Sequence, residues 1–237
     1  MQLRDHEIHV FAAPIAVTIP EQWYAALSAD ERERGARLLR PMHQQRFIAA
    51  RAILRQLLGQ YLNVDPAAIQ FSVGEHDKPA LAGPHTDTLQ FNLSHSDDMA
   101  VYAFTRTGAI GIDIEKIQSE NKSDLAERFF SPVEIAALAT LAPSEQAAGF
   151  FRLWARKEAI IKANGKGLAQ PLSSFSVALD VHQETIHIDQ QIWTLYPLSI
   201  HPEYAAAVAV AKQAASISIW DFIDQKQVFR STINLTM

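Results

Sequence analysis

The sequence predicts an α+β fold with a pseudo-twofold duplication: two similar halves, each a small antiparallel sheet packed with a long helix, enclose a site in the cleft between them. Three landmarks recur in the same order in both halves. They are a Ser-x-x-Glu capping box (Ser28 and Glu31; Ser131 and Glu134), a helix phenylalanine (Phe47; Phe151) and a Phe-Ser-Val triplet (Phe71–Val73; Phe175–Val177). The copies are 103, 104 and 104 residues apart, which favours duplication over chance. The predicted halves are residues 1–108 and 109–237.

Composition excludes several classes of protein. The chain has 237 residues, 48% hydrophobic, a net charge of −5 and no cysteine. It can bury a sizeable core, but it offers no disulfide, thiolate metal site or cysteine nucleophile. With a negative net charge, the chain lacks the overall positive potential that attracts nucleic acid. The N-terminus carries acids where a signal peptide would carry bases and an apolar run. The apolar stretch at 205–211 is too short to span a membrane. We therefore expect a cytoplasmic protein without nucleic-acid or membrane partners.

The first half is predicted to contain two helices among its strands. The expected strands are Ile8–Val17, Phe71–Val73, Leu89–Leu93 and Met99–Thr105. A helix should start at the Ser28 capping box and run to about Arg40, because the Ser and Glu side chains satisfy free amide groups of the first turn. A second should cover about His43 to Leu62, since its apolar residues repeat at helical spacing.

The second half repeats this plan. A strand is expected at Ala109–Glu115, and Pro132 at the first helical position strengthens the second capping box. A long helix should run from about Gln146 to Asn164, and Gly165 should end it. Tyr204–Val210 is predicted to be a strand despite its alanines, because it aligns with the strand Met99–Thr105 in the first half.

The long second helix carries charges where its counterpart is apolar. Glu158 and Lys162 lie one turn apart, and at the 104-residue offset they replace Leu54 and Leu58. A solvated Glu–Lys pair, worth about 0.2–0.5 kcal/mol, is the alternative. Packing does not explain the asymmetry, so a functional role is favoured.

A second acidic pair lies on a strand. Asp113 and Glu115 alternate with Ile112 and Ile114. The ordinary alternative to a functional pair is an amphipathic strand that exposes one face to solvent. If Glu158 converges on them, each like-charge contact at about 4 Å would cost roughly 4 kcal/mol at an effective dielectric near 20. A divalent cation removes this cost, and all-oxygen ligands suit Mg²⁺ bound together with a phosphate-bearing substrate.

Other polar stretches fit phosphate binding less specifically. They are Asn92–Ser96, at a strand end that leads into a turn, the arginines Arg34, Arg46, Arg51 and Arg55, and the turn Lys78-Pro79. For the hairpin, the ordinary alternative is that its Ser and Asp side chains form hydrogen bonds with their own backbone. For the arginines, it is that they are solvated surface charges. Gly165-Lys166-Gly167 follows a helix, whereas a phosphate loop precedes one, so it is predicted to be a helix C-cap.

These motifs together resemble the 4′-phosphopantetheinyl transferases of the Sfp (surfactin-activating) type. The matching pieces are Phe91–Ser96, Gly111–Lys116, Arg128-Phe129-Phe130-Ser131-x-x-Glu134 and Trp154-x-x-Lys157-Glu158-Ala159-x-x-Lys162. They occur in family order and extend the resemblance from about Leu27 to Val210. The resemblance implies transfer of the 4′-phosphopantetheine arm of coenzyme A to a serine of an apo acyl, peptidyl or aryl carrier protein. Adenosine 3′,5′-bisphosphate would be released, with Mg²⁺ required.

The resemblance also implies residue roles. Asp113, Glu115 and Glu158 would hold Mg²⁺, with Glu158, Lys162 and Asp113 as the catalytic set. Glu158 would take the serine proton as base, serve as metal ligand, or do both, and Lys162 would neutralise the pyrophosphate. The implied coenzyme A contacts are Arg34, Arg46, Lys78, Pro79, Ser94, His95 and Lys162.

Two departures and one partner surface complete the comparison. Many relatives have Gly where this chain has Asp77, and Lys near the first capping box where this chain has Glu31, so its coenzyme A contacts differ in detail from theirs. The carrier protein is expected to contact Leu125–Phe130, although Phe129 and Phe130 are alternatively core residues. Because two fused halves build their own cleft, a monomer is expected.

Two rival functions are weaker. A non-catalytic coenzyme A-binding or carrier-binding module should lack a metal ligand or the lysine, yet Asp113, Glu115, Glu158 and Lys162 are all present. A nucleotide phosphotransferase should show a phosphate loop, and the sequence has none. Which carriers are natural substrates is open.

Overall fold

The structure is a computed structural model that describes residues 1–74, 78–120, 122–223 and 226–235. Its helices are α1 (Glu21–Ala25), α2 (Ala29–Ala36), α3 (Pro41–Leu62), α4 (Ser123–Phe129), α5 (Pro132–Ala139) and α6 (Pro143–Asn164). Its strands are β1 (Glu7–Pro14), β2 (Phe71–Val73), β3 (Pro79–Leu81), β4 (Gln90–Ser96), β5 (Met99–Thr105), β6 (Ile110–Lys116), β7 (Glu184–Ile188), β8 (Gln191–Leu198), β9 (Tyr204–Val210), β10 (Ser216–Ile223) and β11 (Lys226–Asn234).

Two sheets form the centre of the molecule and confirm the predicted α+β class. The first has the strand order β11-β10-β1-β5-β4 and the second has the order β6-β9-β8-β7. The consecutive strands β1-β5-β4 and β6-β9-β8 are paired antiparallel in the same order. This equivalence supports the predicted duplication, with β9 in the place that β5 takes in the first sheet.

The division of the chain between the sheets differs from the predicted split at residue 108. Strand β10 pairs in parallel with β1, and β11 then extends the same sheet. Residues 216–234, which lie in the predicted second half, therefore complete the sheet of the first half. The triplet Phe175–Val177 also departs from the repeat, because it forms no strand while Phe71–Val73 pairs with β3.

Three apolar clusters stack the molecule into four layers. One lies between α3 and the outer face of the first sheet, and includes Leu54, Phe11 and Phe104. A second lies between α6 and the outer face of the second sheet. The third joins the inner faces of both sheets and includes Val10 and Ile112. Because side chains alternate along a strand, β6 sends its isoleucines inward and its acids outward toward α6.

Local signals placed several boundaries correctly. Both capping boxes form, at Ser28/Glu31 and at Ser131/Glu134. Helix α6 ends at Asn164, and Gly165 adopts a left-handed conformation with φ 72°, which only glycine takes without strain. No helix in the described part of the chain combines the length and apolar character needed to cross a bilayer.

The two capping-box glutamates make equivalent buried ion pairs. Glu31 lies 2.6 Å from Arg55 on α3, and Glu134 lies 2.8 Å from Lys157 on α6. Each base also donates to carbonyl groups in the segment that follows its helix: Arg55 to those of Pro66 and Ile69, and Lys157 to those of Leu172 and Phe175. The pairs therefore fix each long helix against the chain on both sides of it.

Candidate active site

A polar seam joins the edge strands β4 and β6. Strands β4 and β6 belong to different sheets, and side chains make hydrogen bonds between them. Alternate residues of β4 supply these bonds: Asn92 Oδ1 accepts from the Ile112 amide at 2.9 Å, Ser94 Oγ donates to Asp113 Oδ1 at 2.7 Å, and Ser96 Oγ donates to Glu115 Oε2 at 2.9 Å. The seam thus sets the position of both strand carboxylates.

Helix α6 lies unusually close to β6 above this seam. A β-carbon built on Gly111 would lie 2.9 Å from Cα of Ala163 and closer still to the carbonyl oxygen of Ala159. Only glycine permits this approach. Since Gly111 and Asp113 are on the same face of β6, the approach brings Asp113 next to Glu158 and Lys162 of α6.

Asp113, Lys162 and Ser94 form the centre of the site. The Lys162 ammonium donates to Asp113 Oδ1 at 2.6 Å and to Ser94 Oγ at 2.8 Å. Asp113 is 2% exposed, yet its second oxygen, Oδ2, has no hydrogen-bond partner among the described residues. An orphaned buried carboxylate oxygen is costly and points to a missing positive or hydrogen-bonding group.

Glu115 and Glu158 are poised to change protonation near neutral pH. Burial and the negative charge of Asp113 raise the pKa of Glu158 to about 7, with Lys162 opposing the shift. Burial and Asp113 likewise raise the pKa of Glu115 to about 7, against the bond from Ser96. Within the described chain, no group donates a hydrogen bond to the Glu158 carboxylate. A perturbed, unpartnered acid beside a lysine is typical of a catalytic centre.

The carboxylates of the site have the ligand chemistry of a hard divalent cation, but they are not assembled into a metal site in this structure. Asp113 Oδ2 has no hydrogen-bond partner among the described residues, and the negative charge of Asp113 raises the pKa of both Glu115 and Glu158. Carboxylate oxygens are the ligands that Mg²⁺ prefers. Among the described residues, no three acidic or histidine side chains stand close enough to form a preassembled metal site, and Lys162 supplies the neutralising charge. The ligand set Asp113, Glu115 and Glu158 stays a prediction.

Two of the predicted phosphate contacts, Arg46 and His95, lie near this centre and the β4–β5 turn. Arg46 on α3 donates to Asp97 at 2.6 Å and to Asp98 at 2.8 Å. Desolvation and the positive charges of Lys162 and Arg46 lower the pKa of His95. Arg34 is exposed, with its guanidinium 6.0 Å from the Phe47 ring centroid. The positive charges of Lys162 and Arg46 thus both act on His95, although each cation is itself paired with carboxylates.

The other arginines of the basic cluster are structural. Glu31 is buried and lies 2.6 Å from both Arg51 and Arg55. The guanidinium groups also stack over Phe71, at 4.8 and 5.1 Å from its centroid. Glu31, a departure from the resembled family, therefore neutralises Arg51 and Arg55. Asp97 and Asp98 likewise pair with Arg46, and Arg34 is the arginine of this cluster that has no ion pair among the described residues.

Lys78 is placed differently from its expected role at an adenine ring. Lys78 and Pro79 do line a cavity of about 290 Å³, together with Gln90, Phe91 and Gly165. The Lys78 ammonium, however, donates to main-chain carbonyl groups at the end of α6 and the start of β6. Asp77, the other departure, lies outside the described residues.

The predicted carrier-binding stretch divides into surface and core. Leu125 on α4 is 39% exposed, whereas Phe130 is 3% exposed and belongs to the core below α6. Phe129 is half-buried and packs edge-on against Trp154 at 5.5 Å. Leu125 is therefore the apolar side chain of this stretch that is free to contact a partner, and the core alternative holds for Phe130.

Sequence reasoning missed Asn92 and Ser96 as supports of the site. Their spacing with Ser94 was the available signal, since three small polar residues at alternate positions share one strand face. It also missed the buried pair of Glu134 and Lys157, although the motif around Glu158 contains Lys157. Nothing in the sequence shows which distant residue such a side chain meets.

Comparisons with known proteins agree over both halves. The family model described as "4′-phosphopantetheinyl transferase superfamily" matches residues 109–209, and the model described as "4′-phosphopantetheinyl transferase, N-terminal" matches residues 18–107. The 4′-phosphopantetheinyl transferase HetI of Nostoc sp. is 36% identical over 228 residues, covering 94% of this chain and 95% of the relative. The 4′-phosphopantetheinyl transferase Sfp of Bacillus subtilis is 34% identical over 191 residues, covering 81% and 80%. A crystal structure of Thermotoga maritima holo-[acyl-carrier-protein] synthase matches 47% of this chain and 67% of its own, at 18% identity and a TM-score of 0.30.

Proposed function

This chain belongs to the 4′-phosphopantetheinyl transferase superfamily, and we propose that it transfers the 4′-phosphopantetheine group of coenzyme A to a serine of an apo carrier protein. The serine oxygen forms a bond to the β-phosphorus of coenzyme A. The bond from that phosphorus to the bridging oxygen breaks, and adenosine 3′,5′-bisphosphate leaves. The serine proton passes to a base of the enzyme.

The arrangement of Glu158, Asp113 and Lys162 carries the proposal. Burial and the negative charge of Asp113 raise the pKa of Glu158 to about 7, against the opposing charge of Lys162. A general base works best when its pKa lies near the working pH. The Lys162 ammonium, 2.6 Å from Asp113 Oδ1, supplies positive charge beside that base. A base and a cation side by side are what phosphoryl transfer to a hydroxyl requires.

The other groups of the site bind and orient coenzyme A. Mg²⁺, when held by Asp113, Glu115 and Glu158, would neutralise charge on the pyrophosphate. Lys162 would bind a pyrophosphate oxygen from the other side, and Ser94 would orient that amine. The proposed contacts at the 3′-phosphate and the adenine end are Arg34, Arg46, His95 and Pro79. Arginine fits a phosphate because its planar fork donates two parallel hydrogen bonds.

The partner of the reaction is an apo acyl, peptidyl or aryl carrier protein. Leu125, exposed on α4, would enter the apolar part of that contact, with Phe129 beside it. Fatty acid, polyketide and nonribosomal peptide pathways all use such carriers. We further propose that the enzyme acts in the cytoplasm. We also propose that it is a monomer, because both sides of the cleft come from one chain.

Incubation with coenzyme A, MgCl₂ and apo carrier proteins of the acyl and peptidyl types, followed by intact-mass spectrometry, tests the proposal. The carrier should gain the mass of the phosphopantetheine arm, and a carrier with its serine replaced by alanine should not. Chelation by EDTA should stop the gain, and excess MgCl₂ should restore it. Binding of coenzyme A without a mass gain on any carrier would favour the non-catalytic module instead.

A further inference from the structure

The Lys78 ammonium joins the two halves at the end of the catalytic helix. It donates to the carbonyl oxygens of Lys162 at 2.6 Å, Ile110 at 2.9 Å and Ala163 at 3.4 Å. Two of these acceptors are in the last turn of α6 and the third is the first residue of β6. Lys78 itself precedes β3, in the other half of the molecule.

The carbonyl groups at this point need a donor. The last four carbonyl groups of a helix have no partner within it, and they form the negative end of the helix dipole. An ammonium has three protons to donate and is favoured there. Burial lowers the pKa of Lys78 to about 8, so the amine is still largely protonated at neutral pH. With three carbonyl acceptors, its donors are occupied by the protein rather than by a ligand.

Lys162 is consequently held at both ends by the first half of the chain. Its carbonyl oxygen accepts from Lys78, and its ammonium donates to Ser94 Oγ at 2.8 Å. The ammonium also contacts Asp113 Oδ1 at 2.6 Å. A lysine side chain has a flexible four-carbon stem, and fixing it costs conformational entropy. When the main chain of Lys162 is held in place, its amine can therefore reach fewer positions.

We propose that Lys78 is a positioning residue that fixes the main chain of Lys162 and thereby places the Lys162 amine on the reacting pyrophosphate. This inference rests on the proposed function, in which Lys162 binds that group. Lys78 therefore acts through Lys162 and makes no contact with coenzyme A through its amine.

The cavity beside Lys78 also borders the end of α6. Gly165, the residue directly after α6, lines this cavity of about 290 Å³ together with Lys78 and Pro79. A ligand group bound there touches the same turn that Lys78 anchors. The adenine end of the cleft and the catalytic amine are thus connected through a single turn of chain.

The test compares Lys78→Met with Lys166→Met in the full chain. Lys166 is a matched control, because it lies at the same helix end and its ammonium forms an exposed ion pair with Asp189 at 2.5 Å. Lys78→Met should lower kcat by about 10- to 100-fold, since a displacement of about 1 Å in a catalytic group has this effect. KM for the carrier should stay within about twofold. Lys166→Met should match the wild type, and Lys78→Arg should recover part of the loss.

A double-mutant cycle separates positioning from general loss of stability. If Lys78 acts through Lys162, then Lys78→Met added to Lys162→Met should cause no further fall in kcat. Effects that multiply, or an unchanged kcat in Lys78→Met, would overturn the inference. If Lys78→Met does not fold, Lys78→Gln takes its place in the same cycle.

Hydrogen exchange gives a readout that does not depend on transfer. Amides in the last turn of α6 should exchange faster in Lys78→Met than in Lys166→Met, because the carbonyl groups of that turn lose their anchor. Equal exchange in both variants would overturn the inference even in an active enzyme. A wild-type protein that transfers nothing to any carrier would instead reject the proposed function, while the exchange experiment would still decide whether Lys78 anchors the turn.

Discussion

Gly111 on β6 packs directly against the main chain of α6 at Ala163. A β-carbon at Gly111 would lie 2.9 Å from Cα of Ala163, a separation that side-chain carbons do not reach. The obstacle is backbone, so no rotamer change can relieve it. This contact places Glu158 and Lys162 over the acids of β6.

Gly111→Ala should therefore displace α6 and lower both stability and transfer. We expect a loss of about 1–3 kcal/mol in the free energy of unfolding, as for overpacked cores, and at least a tenfold fall in kcat. Urea unfolding and transfer kinetics measure the two effects. Gly35→Ala is the matched control, because the atom nearest to its added methyl group is the flexible end of Ile48. Equal behaviour of the two variants would refute the role of the Gly111 contact.

Glu158→Gln should abolish transfer while preserving the fold. The amide keeps the shape of the side chain but cannot accept the serine proton, and loss of a general base costs about 10²–10⁴-fold in rate. Circular dichroism and thermal unfolding should match the wild type. Glu145→Gln, an exposed change on the first turn of the same helix, should stay fully active.

The dependence on Mg²⁺ concentration then divides the possible roles of Glu158. A pure metal ligand should regain part of its activity in Glu158→Gln when Mg²⁺ is raised, whereas a pure base should not. Full activity of Glu158→Gln at all Mg²⁺ concentrations would remove Glu158 from the catalytic set.

Lys157→Met should destabilise the protein strongly. Lys157 and Glu134 are 0% and 1% exposed in their side chains and lie 2.8 Å apart. Removing one partner of a buried pair leaves an uncompensated charge and costs about 3–5 kcal/mol. Urea unfolding should show this loss, and Lys166→Met, which breaks an exposed pair, should change stability by less than about 1 kcal/mol. A loss below about 1 kcal/mol in Lys157→Met would show that the buried pair is not needed for the fold.

His9 should make the protein less stable in acid. Burial lowers the pKa of His9 from 6.5 to about 4, against the attraction of Glu7. Between these values the unfolded chain binds a proton that the folded protein does not, so stability falls as the pH drops from about 6.5 to 4. The largest loss from this residue is about 3 kcal/mol, at roughly 1.4 kcal/mol for each pKa unit.

The comparison of wild type with His9→Gln isolates this effect, since other groups titrate in both. Thermal unfolding at pH 7.5 and 5 should show a smaller acid loss in the variant. The variant also loses the 2.6 Å contact of His9 Nδ1 with the Tyr61 hydroxyl, but that loss is the same at both pH values. Equal pH slopes in the two proteins would contradict the assignment.

Leu125→Asp should weaken carrier binding alone. Leu125 is exposed on α4, and a charge there removes an apolar contact without disturbing the core. We expect KM for the carrier to rise about tenfold, with KM for coenzyme A unchanged. Ile192→Asp on β8 is the control, because Ile192 is also exposed, at 52%. If KM for the carrier is unchanged in Leu125→Asp, Leu125 is not part of the carrier-binding surface.

Local sequence signals were sufficient for features built within a few residues. The capping boxes at Ser28 and Ser131 and the left-handed Gly165 depend on neighbours three or four positions away, so their patterns are visible in the chain. The strand Tyr204–Val210 was found only through its alignment with the first half, because its alanines carry no strand preference.

The tertiary structure alone decided which distant groups meet. The sequence by itself determined the α+β class and both long helices, because periodicity and spacing encode them, and it singled out the acids and the lysine as candidates. It could not show that β10 pairs with β1, that Ser96 holds Glu115, or that the Lys78 amine reaches the carbonyl group of Lys162, 84 positions away. Such contacts depend on how whole sheets and helices pack, and no local pattern records which donor will lie beside which acceptor.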